Sequence, residues 1–150
     1  VIGRRQLPIV AVAALAAIPA VPALASSADS ASAIGRTSKG QLIEIDWRPS
    51  TRRLQSISVE FTCPGEKGSS TARKTVALGT LPASGKLRKT FRAAFTPFDS
   101  GAGGASGTAT ITLATTIPSA NRAAFKGTVT VDAPGCKVGK RSFKGRTSVT

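Results

Sequence analysis

Residues 125–149 read FKGTVTVDAPGCKVGKRSFKGRTSV. Phe125, Val129 and Val131 alternate with Lys126, Thr128 and Thr130. A period of two marks a strand with one buried and one wet face. Pro134-Gly135 then turns the chain directly before Cys136. A second run, 141–149, sets Phe143, Thr147 and Val149 in phase. Gly127 falls inside the first run, which predicts a bulge or a close backbone approach. Between the turn and the end lie Lys137, Lys140, Arg141, Lys144 and Arg146.

The most regular alternation upstream is 55–63. Ile57, Val59, Phe61 and Cys63 oppose Ser56, Ser58, Glu60 and Thr62. Before it, Ile43, Ile45 and Trp47 alternate with Glu44, Asp46 and Arg48, and Pro49-Ser50-Thr51 is a turn. The two runs predict a hairpin or meander. A shorter strand, 73–78, has Val76 and Leu78 inward. In 86–95, Leu87, Phe91, Ala93 and Phe95 oppose Arg88, Thr90 and Arg92. Lys89 falls on the apolar face, so it should sit near a sheet edge where its ammonium reaches water. Residues 99–107, DSGAGGASG, read as a mobile glycine-rich loop. A phosphate cradle needs such a loop to follow a strand and open a helix; this one precedes the strand-like 108–116.

No window holds a helical period. Seven or eight short strands predict an all-β, antiparallel, immunoglobulin-like β-sandwich, with a small barrel satisfying the same pattern. A true immunoglobulin domain sets a Trp between its core cysteines and a Tyr near the second. Here Trp47 precedes Cys63 and there is no Tyr, so the expected likeness is architectural.

The front of the chain reads as an export signal. Val1 reads as an alternative start codon or a fragment edge. Arg4 and Arg5 precede residues 7–25, which carry no charge, and Ala23-Leu24-Ala25 is a small-residue cleavage site. An uncleaved signal helix is the rival reading and the only expected tie to a membrane. Residues 26–40, SSADSASAIGRTSKG, are small, polar and non-periodic, which predicts a disordered leader ahead of a domain at 41–150. Two cysteines in an exported chain predict a Cys63–Cys136 disulfide. The absence of His and the distance between the thiols give no metal set, and no cofactor is expected.

Phe125-Lys126-Gly127, Cys136-Lys137-Val138-Gly139 and Phe143 resemble the C-terminal half of small exported β-sandwich proteins of high-GC Gram-positive bacteria. That family shows F-x-G, then C-x-x-G, then an aromatic, with an upstream cysteine closing a strand, as Val59, Phe61 and Cys63 do here. It usually carries Trp where this chain has Phe143. The resemblance covers 41–149 and implies a fold and an exported location, with no activity assigned.

The whole chain has 21 Lys+Arg against 7 Asp+Glu. Losing Arg4 and Arg5 with the signal leaves 19 against 7, or +12. Such a balance predicts attraction to polyanions, or simply solubility by repulsion. The absence of His excludes a Ser-His-Asp or Cys-His site. Ser84 with Lys86 and Ser142 with Lys144 offer Ser-Lys pairs at the frequency chance supplies. Glu44, Asp46 and Glu60 offer the carboxylates a glycan-active enzyme needs. Most aromatics lie in phase with the core and only Phe98 reads as a loop aromatic, so no sequence-specific nucleic-acid reader is expected.

The expectation is a secreted or envelope-associated, non-enzymatic binding or structural module. Its partner would be an anionic envelope polymer, met at low specificity by Lys86, Arg88, Lys89, Arg92, Lys137, Lys140, Arg141, Lys144 and Arg146. The alternatives are the glycan-active enzyme and a protein-partner module pairing through a strand edge. Oligomeric state is not legible.

Overall fold

In the computed structural model, which describes residues 29–97 and 106–150, the alternating runs become eight antiparallel strands. They are β1 (Ala31–Thr37), β2 (Leu42–Trp47), β3 (Leu54–Phe61), β4 (Ser70–Lys74), β5 (Lys86–Pro97), β6 (Gly107–Thr116), β7 (Ala124–Ala133) and β8 (Cys136–Val149). Each pairs with its neighbours in sequence, and β8 returns to pair with β1. The architecture is therefore a closed up-and-down barrel, and the expected β-sandwich is incorrect.

The element that closes the barrel is the one the sequence hid. Residues 31–37 fall inside the expected leader, yet they form β1 between β2 and β8. Ala31, Ala33, Gly35 and Thr37 face inward and are buried. Small side chains carry little hydrophobic signal, so the period of two is invisible to a reading that looks for Val, Ile and Phe. The expected signal at 1–25, and Phe98 with most of the glycine-rich loop, lie outside the described residues.

Glycines make the closure possible. A Cβ on Gly145 would stand 1.9 Å from the Ile34 carbonyl oxygen, and one on Gly127 2.5 Å from the Ala114 carbonyl oxygen. The Phe125 and Phe143 rings cover this floor edge-to-face, with centroids 6.0 Å apart. Gly127 thus marks a close approach. The bulge lies in β8, where pairing shifts from Val129↔Arg141 to Val131↔Val138. Gly139 and Lys140 together oppose Thr130, which adds a residue and reverses the phase of β8. Cys136 and Val138 face inward before the bulge, and Phe143 and Thr147 after it.

An eight-stranded barrel is just wide enough for side chains to fill. Ile43, Ile45, Ile57, Val59, Phe61, Ile111, Leu113 and Val131 fill this one and are fully buried. Burying each such side chain contributes roughly 1.5–3 kcal/mol. The outer face is polar: Lys86, Arg88, Thr90 and Arg92 succeed one another on β5 with the alternate positions inward. A membrane-spanning barrel has the reverse arrangement, with an apolar band outside.

The two mouths are closed differently. At one, Cys63 after β3 bonds to Cys136 at the start of β8, with Cα atoms 4.9 Å apart. The bond crosses over β1 and β2, as the sequence predicted, and indicates folding in an oxidising compartment. At the other mouth Trp47, Leu54, Leu78, Leu81 and Ile117 are buried as a plug. Leu78 reaches it from a loop, because β4 stops at Lys74; Val76, expected inward, is 67% exposed. Residues 75–85 cover the seam beside β3, with the Leu54 amide donating to the Gly79 carbonyl at 2.9 Å and the Leu81 amide to the Arg52 carbonyl at 2.7 Å.

Candidate polyanion-binding face

The pairing registers place cations from separate strands side by side. Lys86 on β5 opposes Thr116 on β6, and Thr116 opposes Lys126 on β7. Lys126 opposes Lys144 on β8, and Lys144 opposes Arg36 on β1. All five residues point outward and are exposed. They form one transverse row across five strands. Neighbouring strands lie about 4.8 Å apart, so the row spans about 19 Å of surface. Arg88, Ala114, Thr128 and Ser142 form the next row along the same strands.

Two grooves follow this double row. One, of about 590 Å³, is lined by Arg36, Lys126, Lys144, Thr128 and Ser142 among others. The second, of about 650 Å³, lies between Lys86, Arg88 and Lys126, with Ala114 and Thr116 as its low floor. Lys126 belongs to both. Among the described residues, Arg36, Lys86, Arg88, Lys126 and Lys144 have no carboxylate partner. The Arg36 guanidinium gives one N–H to the Gly40 carbonyl at 2.8 Å, which fixes its direction and leaves its other donors available. From β5 to β8, Asp132 is the one described acid against eleven Lys and Arg.

The nine cations expected to contact a polyanion do not share one surface. Lys86, Arg88 and Lys144 stand on the double row or beside it. Arg92 lies further along β5, in a row that runs through Thr110 and Asp132 to Lys137. Asp132 opposes Lys137 directly in the register. Lys140 projects from the bulge and is exposed. Arg141 lies at the disulfide-closed mouth, in a groove of about 390 Å³ shared with Glu60, Gln41 and Thr62. Arg146 turns toward the other mouth and donates to the Arg122 carbonyl at 2.9 Å. Lys89 points inward, half-buried, and its ammonium donates to the Leu78 carbonyl at the β4–β5 seam. That pairing agrees with its place on the apolar face and takes Lys89 out of the contact surface.

Sequence reasoning missed Arg36 and Lys126. Arg36 was hidden with β1. Lys126 was read as the wet side of a strand, but its alignment with Lys144 depends on the β8 bulge. The sequence does carry that signal: inward Cys136 and Val138 are out of step with inward Phe143 and Thr147.

The carboxylates collect on the opposite side. Glu44 and Asp46 point outward from β2 into a groove of about 370 Å³ that also holds Ser56 and Arg73. Asp46 accepts a hydrogen bond from the Ser56 hydroxyl. Glu60 lies in the other groove, beside Arg141, and accepts the Leu42 amide at 3.2 Å. The structure therefore brings Glu44 and Asp46 together and separates Glu60 from them. The Ser84 hydroxyl accepts the Lys86 amide at 3.3 Å, a turn hydrogen bond. Ser142 and Lys144 are successive outward residues on β8.

The fold and this face define a class: an up-and-down antiparallel barrel with a filled interior, one disulfide across a mouth, and a basic girdle outside. No protein-family model, curated protein or solved structure matches the chain.

Proposed function

We propose that the protein is an exported, non-enzymatic binding or structural module of the cell envelope that holds an anionic surface polymer on its basic outer strands. The observation that carries the reading is the unpaired transverse row Lys86, Lys126, Lys144 and Arg36, with small residues between its cations. A filled interior leaves the outer wall as the surface available to a partner. Cations on a rigid sheet are held in place before binding, so little side-chain freedom beyond the lysine stems is lost on contact. The disulfide suits a protein working outside the reducing cytoplasm.

The test is retention of the oxidised protein on purified envelope across a salt series, with neutral glycan and DNA as controls. Retention should fall steeply as salt rises, because bound polyanions give up counterions in proportion to the cations engaged. The Lys86→Gln, Lys144→Gln double variant should elute at lower salt. Absence of retention at every salt, or retention indifferent to salt, contradicts the reading. Equal retention on DNA makes the attraction generic.

A further inference from the structure

The two grooves share Lys126 and join into one track from Arg36 to Arg88. This track crosses the strands rather than running along them, and it covers five of the barrel's eight strands. We propose that it binds a single flexible phosphodiester–polyol chain wrapped across β5, β6, β7, β8 and β1, with Lys126 as the cation common to both halves. The proposal rests on the polyanion reading above and narrows it to one polymer chemistry and one path.

Three features select that occupant. The path crosses four of the eight strand-to-strand intervals of a narrow barrel, so the occupant must bend with its wall. Duplex DNA, stiff over about 150 base pairs, cannot follow it. Next, all the aromatic side chains among the described residues are buried: Trp47, Phe61, Phe91, Phe95, Phe125 and Phe143. Phe125 and Phe143 line the grooves, but both rings are buried, so a single-stranded nucleic acid would find no exposed ring on which to stack its bases. Finally, the outward residues between the cations are Ala114, Thr116, Thr128 and Ser142, which admit a thin chain and offer hydroxyl donors to phosphate oxygens, with Phe125 and Phe143 also lining the grooves. Lysines predominate over arginines on the row, and lysine meets phosphate as a point charge without demanding a planar acceptor.

The experiment is calorimetric titration of the oxidised protein with poly(glycerol phosphate) at low salt, with single-stranded DNA, duplex DNA and hyaluronan as separate arms. Affinity should rise with polymer length until the track is filled and then level off. Lys126→Gln should weaken binding about tenfold, the scale of one lost charge-assisted contact, and reduce the salt slope by about 0.7. Lys126→Arg, which keeps the charge, should restore most of it. Arg92→Gln removes the same charge from β5 outside the track and should cost roughly twofold or less, as for an exposed surface charge. Equal losses from Lys126→Gln and Arg92→Gln overturn the track and leave the general polyanion reading standing. Tighter binding of either DNA or of hyaluronan than of poly(glycerol phosphate) overturns the choice of polymer. Failure of the unaltered protein to bind the polymer or the envelope overturns both readings together.

Discussion

The β7–β8–β1 wall and the β2–β3 wall do the same structural task with opposite materials. Inside, the first wall has Gly35, Gly127 and Gly145 under two phenylalanine rings, while the second has Ile43, Ile45, Ile57 and Val59. Outside, the first carries Arg36, Lys126 and Lys144 without carboxylate partners, and the second carries Glu44, Asp46 and Glu60. Two of those acids are tied to local donors, Asp46 to Ser56 and Glu60 to the Leu42 amide. Both walls complete the same barrel, so closure does not require the charge on either. Asp46 and Glu60 are absorbed into local hydrogen bonds, and the cations are left facing solvent. Like charges side by side on neighbouring strands are destabilising. A row of them that the fold does not need is the feature on which the proposed polyanion contact rests.

The largest expected effect comes from separating the two walls. The disulfide joins the end of the acidic wall to the start of β8. Cys63→Ala together with Cys136→Ala should lower stability by about 4 kcal/mol on the loop-closure estimate, read as a drop in denaturation midpoint. A midpoint within error of the parent would show that the barrel holds its walls together without it.

A smaller loss tests the glycine floor. Gly145→Ala drives a methyl into the Ile34 carbonyl at the β1–β8 seam and should cost about 3 kcal/mol by overpacking. Gly139→Ala, on the same strand with nothing within 4 Å of the new methyl, should be nearly neutral. Equal Tm changes would mean that the seam is not closely packed.

The smallest effect concerns the acidic wall. Asp29 accepts the Ser50 hydroxyl and, at 3.0 Å, the Ser50 amide, so the chain two residues before β1 is clasped to the β2–β3 turn. The side-chain bond first, then the amide, with nearby Arg48, hold its carboxyl below its ordinary value. A lowered folded value means that the stabilisation is present above the unfolded value and is lost as pH falls through the folded one. The Tm difference between the parent and Asp29→Asn should therefore be small at neutral pH and shrink further in strong acid. A difference constant with pH would refute the clasp.

Much of this was legible in the sequence for a physical reason. Strands such as β3 carry large apolar residues in strict alternation, and the runs at 55–63, 86–95 and 108–116 returned as strands close to their expected ends, while 141–149 proved to be the end of a longer β8 that begins at Cys136. The cysteine pairing followed from there being two. Barrel and sandwich impose the same alternation on each strand, so the choice between them turned on β1. Its inward Ala31, Ala33, Gly35 and Thr37 look like a linker until β8 is seen beside them. Of the basic residues of the site, Lys86, Arg88 and Lys144 were expected, while Arg36 was hidden with β1 and Lys126 was read only as the wet side of a strand. Their alignment was not legible, because it depends on registers between strands and on one added residue in β8.

Mapping backbone amide shifts during titration with poly(glycerol phosphate) tests the central claim most directly. The account predicts that shifts concentrate on β5 to β8 and β1 around Lys86, Thr116, Lys126, Lys144 and Arg36. Glu44, Asp46 and Glu60 on β2 and β3 should stay unmoved. Shifts spread evenly over the barrel, or centred on β2 and β3 or on either mouth, would contradict it.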